Sequence, residues 1–105
     1  MSELAVSMTL AQLQSYVRDC ELERGFSDQT STEKCLLLGE EVGELFRAVR
    51  REVGLLTDPR SDAANVGEEL ADILNYLLAI ANRFEVDLAT AYVQKEEKNR
   101  ARHWR

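Results

Sequence analysis

Two segments of this chain carry the same acidic figure inside a helical apolar repeat. The first is Glu40-Glu41-Val42-Gly43-Glu44 and the second is Glu68-Glu69-Leu70-Ala71-Asp72, twenty-eight residues further on. Each reads acid-acid-x-x-acid. Residues three apart on a helix lie on one face, about 60° from each other. Glu41 and Glu44 therefore form one carboxylate pair, and Glu69 and Asp72 form another. On the helical wheel Glu41 falls between Leu38 and Leu45, and Glu69 falls between Val66 and Ile73. A carboxylate on a core-facing stripe is costly unless a cation or hydrogen-bond donors neutralise it. Two such pairs facing each other predict a fold in which their helices meet around a hard divalent ion.

The rest of the chain supplies the helices. Thr9 to Gln12 and Thr30 to Glu33 each fit a capping box. Behind the first come Leu10, Leu13, Val17 and Cys20 at helical spacing, and Gly25 stops that helix, predicted over about 9–24. Behind the second, Cys35, Leu38, Val42, Leu45 and Val49 carry a helix to about Val53. Its glycines, Gly39 and Gly43, lie four apart on the side away from the acids, where a second helix can approach closely. Gly54 to Ser61, with Pro59, reads as a loop. Asp62 or a neighbour caps a third helix reaching about Phe84. Its residues Val66, Leu70, Ile73, Leu77, Ile80 and Phe84 give the strongest period in the chain, and Leu74, Leu78 and Ala81 widen the apolar face. Asp87 is a suitable N-cap for a fourth helix over about 88–100. The expected architecture is an all-α four-helix bundle: a leader, residues 1–8, and one domain, residues 9–105.

Composition narrows the function. A length of 105 residues allows one domain with a modest core. The net charge of −6 argues against a general affinity for nucleic-acid polymers. A metal held by the acids would reverse the local sign and admit a polyanion such as a triphosphate. Cys20 and Cys35 form neither a metal spacing nor a disulfide framework, which suits a reducing, cytoplasmic setting. No apolar run has membrane-spanning length, and no signal-peptide pattern is present. Di-iron carboxylate bundles need Glu-x-x-His pairs, whereas the sole histidine here is His103. Oxygen ligands alone favour Mg²⁺ or Mn²⁺.

The acidic pair, on consecutive helices, resembles that of the MazG-type all-α nucleoside triphosphate pyrophosphohydrolases. The stretch from Glu68 through Asp72 to Asn75, Tyr76 and Leu77, then Val86-Asp87-Leu88, then Lys95-x-x-x-Asn99-x-x-Arg102, resembles the small dCTP pyrophosphatase branch. The likeness covers about residues 30–103. It implies that Glu41, Glu44, Glu69 and Asp72 are metal ligands, and that Glu40 meets a second metal or accepts a proton from the attacking water. It further implies that Lys95 and Arg102 contact phosphates, Asn99 the sugar or a phosphate, and that Tyr76 lines the nucleotide pocket. Lys34, two turns before Glu41 on the same face, is a further phosphate candidate. The implied reaction is Mg²⁺-dependent hydrolysis between the α and β phosphorus atoms to a nucleoside monophosphate and pyrophosphate, in the service of removing non-canonical or surplus pyrimidine nucleotides. Chains this short in the family work as homodimers or homotetramers whose pockets are completed by a neighbour. Base preference would rest on walls from helix 1 and the 25–30 connection, with Tyr16, Phe26 and Trp104 as candidates. Two other readings stay open at this point: a phosphoribosyl-ATP pyrophosphohydrolase, and a non-catalytic, cation-binding helical module.

Overall fold

Four helices make up most of the computed structural model, which describes residues 4–55 and 65–102. They are α1 (Leu10–Arg24), α2 (Ser31–Glu52), α3 (Val66–Arg83) and α4 (Leu88–Ala101). No strand occurs among the described residues. Both predicted capping boxes form. The Thr9 hydroxyl accepts from the Gln12 amide and the Thr30 hydroxyl from the Glu33 amide, while each glutamine or glutamate side chain accepts from the cap residue's own amide. Gly25 ends α1 at φ 76°, a left-handed conformation that glycine reaches without a Cβ penalty.

The start of α3 differs from expectation. Its N-cap is Asn65, whose side chain accepts from the Glu68 amide; Asp62, together with Pro59, lies outside the described residues. The cap of α4 differs in kind. Asp87 occupies the N-cap position but makes no capping hydrogen bond. Its carboxylate accepts instead from the Thr90 hydroxyl at 2.6 Å. The free Leu88 amide donates to Gln14 Oε1, on α1, at 3.0 Å. A side chain remote in sequence thus satisfies one of the orphan donors that every helix start leaves.

α2 and α3 form the main helix pair, α1 rests on α3, and α4 rests on α1. The core is small. Val17, Leu78 and Ala79 are its buried centre, with Leu10, Leu13, Leu74 and Leu88 packed around them. Among the described residues Leu78 is the one large side chain fully withdrawn from solvent. Gln14 secures the α1 junction: its amide donates to Asn82 Oδ1 at 3.0 Å and to the Val86 carbonyl at 2.6 Å. Much apolar surface stays open, including Leu36 and Phe46 on α2, Leu70 on α3, and Val53 and Phe84 at the C-caps of those helices. The radius of gyration is 16.4 Å, against about 13 Å for a compact chain of about 100 residues. Both thiols are free, Cys20 buried and Cys35 exposed. No helix among the described residues is long and apolar enough to cross a membrane.

Candidate active site

α2 and α3 run antiparallel, so the two acidic figures arrive at the same level. Glu41, Glu69 and Asp72 each present a carboxylate oxygen, and these atoms all lie within 4.8 Å of one another. Glu69 is buried, Glu41 half-buried and Asp72 exposed. Glu41 Oε2 and Glu69 Oε2 are buried with no hydrogen-bond donor. Burial, followed by the carboxylates of Glu69, Asp72 and Glu44, raises the Glu41 pKa above the ordinary glutamate range. Buried, unpaired carboxylate oxygens in a like-charged group are a costly arrangement that a hard divalent cation relieves. The donor set is all oxygen, and it fits Mg²⁺ or Mn²⁺.

The remaining acids stand slightly apart. Glu44 is exposed and ion-pairs with Arg47 at 2.7 Å, one turn along α2. Glu40 is exposed. Tyr76, one turn beyond Asp72, has its phenol pKa raised, first by burial and then by the carboxylates of Glu41, Asp72 and Glu40. Its hydroxyl therefore stays protonated beside the acids.

From the acids a cleft of about 520 Å³ runs along the α2–α3 pair toward the end of α1. Glu41 and Asp72 line one end; Leu13, Val17 and Ala79 are apolar wall; Phe26, Lys34 and Tyr76 lie beyond. At the far end sits a buried ionic knot. Arg83 donates to Glu21 Oε1 and Oε2, each at 2.9 Å, and also to the backbone carbonyls of Gln29, Ala79 and Phe26. Lys34 Nζ lies 3.1 Å from Glu21 Oε2 and 5.5 Å from the ring centres of both Phe26 and Tyr76. Burial alone would raise the Glu21 pKa, but the hydrogen bonds from Arg83 and Lys34 outweigh it and hold the group below the usual range.

This knot is invisible as a motif, since Glu21, Lys34 and Arg83 come from three helices. One signal was available: Glu21 follows Val17 by four residues, on the buried stripe of α1. The predicted residues of α4 fall elsewhere. Lys95 and Arg102 are exposed and Asn99 is half-buried, and none of the three lines the cleft. Trp104 and His103 lie outside the described residues.

Residues 29–105 match the family model for the MazG nucleotide pyrophosphohydrolase domain. The chain belongs to the MazG family. A crystal structure of iMazG from Vibrio DAT 722 shares the MazG fold, with a TM-score of 0.66 and 34% identity over 93% of this chain and 100% of that one. The chain is also similar to dCTP pyrophosphatase 1 of Mus musculus, 40% identical over 72 residues, and of Rattus norvegicus, 38% identical over 72 residues. In both cases 65% of this chain is covered, and 42% of the relative. The chain thus spans less than half the length of the rodent proteins.

Proposed function

We propose that this chain hydrolyses nucleoside triphosphates between the α and β phosphorus atoms, yielding a nucleoside monophosphate and pyrophosphate. The observation that carries the reading is the pair of unpartnered buried oxygens, Glu41 Oε2 and Glu69 Oε2, beside Asp72 at the mouth of the cleft. The MazG family match supports the reaction class, and the rodent dCTP pyrophosphatases support a pyrimidine deoxynucleotide as substrate. In this reading the enzyme clears non-canonical or surplus pyrimidine nucleotides from the cytoplasm.

Glu41, Glu69 and Asp72 hold the metal, and Glu44 joins them by releasing Arg47. A bound Mg²⁺ or Mn²⁺ supplies positive charge that offsets the charge gathering on phosphoryl and leaving oxygens. Glu40, exposed at the rim, takes the proton from the attacking water. Tyr76 contributes an apolar face and a neutral hydroxyl to the pocket. Leu13, Val17 and Ala79 keep water from the sugar and base.

Lys95, Asn99 and Arg102 act on the phosphates of a neighbouring copy's cleft. That assignment fits their distance from their own cleft and the open build of the single chain. Leu36, Gly39, Gly43 and Phe46 form one exposed stripe on α2, opposite the acids. A second copy covers this stripe in a homodimer or homotetramer.

A panel of ribo- and deoxyribonucleoside triphosphates, incubated with Mg²⁺ and with Mn²⁺ and resolved by product, tests the reaction. Release of pyrophosphate and monophosphate supports it. Release of inorganic phosphate and diphosphate, or no turnover on the whole panel, refutes it in favour of a cation-binding module.

A further inference from the structure

Three buried side-chain atoms among the described residues find no hydrogen-bond partner. Two are carboxylate oxygens, Glu41 Oε2 and Glu69 Oε2, and the third is Arg47 Nε. The oxygens lack a cation. The nitrogen is a cationic donor that lacks an acceptor, six residues beyond Glu41 on the same helix. A buried N–H with no acceptor is as unfavourable as a buried carboxylate oxygen with no donor. The metal proposed above answers the acids and leaves Arg47 unanswered.

The guanidinium is half used. Its Nη2 donates to Glu44 Oε2 at 2.7 Å, while Nε, on the same edge, donates to nothing. Such an edge, with two parallel N–H groups, matches two oxygens of a carboxylate or a phosphate. Glu44 meets it with one bond. The pair is also loosely held: both side chains are more than a third exposed, and ion pairs in that setting contribute little. Glu44 can therefore leave Arg47 for the metal site at small cost.

Arg47 also stands on the far side of the acids from the cleft. Lys34, at the cleft's other end, precedes Glu41 by seven residues. Arg47 follows Glu41, with a rise of about 9 Å, and lies outside the cleft. Its side chain leans back toward the helix N-terminus, which is how it reaches Glu44. A triphosphate with its nucleoside in the cleft and its α phosphate at the acids runs its β and γ phosphates toward Arg47.

We propose that Arg47 receives the leaving pyrophosphate: Glu44 turns from it to the metal, and its Nε–Nη2 edge then donates to two oxygens of the departing group. In the step itself, water oxygen bonds to the α-phosphorus and gives one proton to Glu40. The bond from that phosphorus to the α–β bridging oxygen breaks, and its electron pair leaves on pyrophosphate. The guanidinium stands where that charge gathers. The proposal rests on the reading of the acids as the metal site of a pyrophosphohydrolase and adds to it the residue for the leaving group.

Two binding measurements test it without turnover. Calorimetry of pyrophosphate in excess Mg²⁺ reads the capture, and Mn²⁺ binding to the ligand-free protein, followed by electron paramagnetic resonance, reads the release of Glu44. Arg47→Met keeps the apolar stem and removes the charge. It binds pyrophosphate about tenfold or more weakly than wild type, the scale of a charge-assisted hydrogen bond. In the same buffer its affinity for dCMP, which lacks the β and γ phosphates, stays within about twofold of wild type. Its Mn²⁺ affinity rises about threefold, because Glu44 has lost a competing partner. Arg47→Lys, with the charge but no fork, falls between the two on pyrophosphate. A residue that only supports the helix does not move the two affinities in opposite directions. Equal pyrophosphate binding by wild type and Arg47→Met overturns the proposal, as do equal losses for pyrophosphate and dCMP, or a Mn²⁺ affinity that does not rise. Should Arg47→Met not fold, Arg47→Gln and Arg47→Lys decide by the same measurements. Absence of triphosphate hydrolysis refutes the proposed reaction alone, while pyrophosphate binding still decides the role of Arg47.

Discussion

Arg83 and Glu21 meet in two parallel hydrogen bonds of 2.9 Å, joining α3 to α1 beneath the nucleotide-sized cleft. The pair does more than tie two helices. Through the Gln29 and Phe26 carbonyls, Arg83 also fixes the connection that carries Phe26. Planar, bidentate recognition of a carboxylate is a task for arginine rather than lysine. Breaking a buried ion pair from one side costs up to about 3–5 kcal/mol, and here Lys34, 3.1 Å from Glu21 Oε2, still compensates part of the charge. Arg83→Met is therefore expected to lower stability by about 2–3 kcal/mol in denaturant unfolding, short of the full cost of an unpaired buried charge. A loss below about 1 kcal/mol would mean that Glu21 is solvated without its partner.

The same pair sets a pH dependence. Glu21 has a folded-state pKa below its ordinary value. Its contribution to stability is complete above the ordinary glutamate range and fades as pH falls through the lowered folded value. Glu21→Gln should be less stable than wild type at neutral pH, and the gap should close on acidification. Parallel acid titrations of unfolding free energy will show whether the two curves converge.

Glu41 has the opposite sign. Its folded pKa is raised, by burial and by neighbouring carboxylates, so without metal the folded protein loses stability as pH rises through and above the ordinary glutamate range. Glu41→Gln is expected to stabilise the metal-free protein at neutral pH while abolishing pyrophosphate release. Mg²⁺ should raise the Tm of wild type, because an ion that binds only the folded state stabilises it, and should leave Glu41→Gln nearly unmoved. Thermal scans with and without Mg²⁺ read both effects. An unchanged Mg²⁺ response in the variant would remove Glu41 from the ligand set.

Gln14 holds α4 in place through three hydrogen bonds, to Asn82, to the Val86 carbonyl and from the Leu88 amide. Leaving such buried groups unpaired costs about 1–3 kcal/mol. In Gln14→Ala the amides at the start of α4 should exchange with solvent much faster than those of α3. Uniform exchange across all four helices would show that α4 does not depend on this anchor.

A Cβ built on Gly43 meets nothing within 4 Å in the single chain. Gly43→Trp should therefore leave helicity intact but lower the sedimentation coefficient, by blocking the proposed contact with a second copy. A variant that sediments like wild type would move the assembly surface elsewhere.

Helix periodicity and capping chemistry are local, and they were legible. Thr9, Thr30 and Gly25 end their helices where hydrogen-bond and φ arguments put them, and the ends of α2 and α4 fall within a residue or so of expectation. Asp87 stands at the N-cap of α4 as expected, but its side chain caps no amide, because a cap-forming residue has more than one local partner. Thr90 takes its carboxylate, and Gln14, far away in sequence, takes the cap amide. Likewise, of the four acids expected to converge, Glu41, Glu69 and Asp72 do so, while Glu44 finds Arg47 one turn along the same helix.

The order of residues by itself determined four helices and put acids on their inward stripes, since spacing on a helix converts directly into facing. Only the tertiary structure decided which charges share a cavity. The union of Glu21, Lys34 and Arg83 depends on three helices meeting at one level, and interhelix register is set by how side chains interlock across helices. No count along a single helix contains that information.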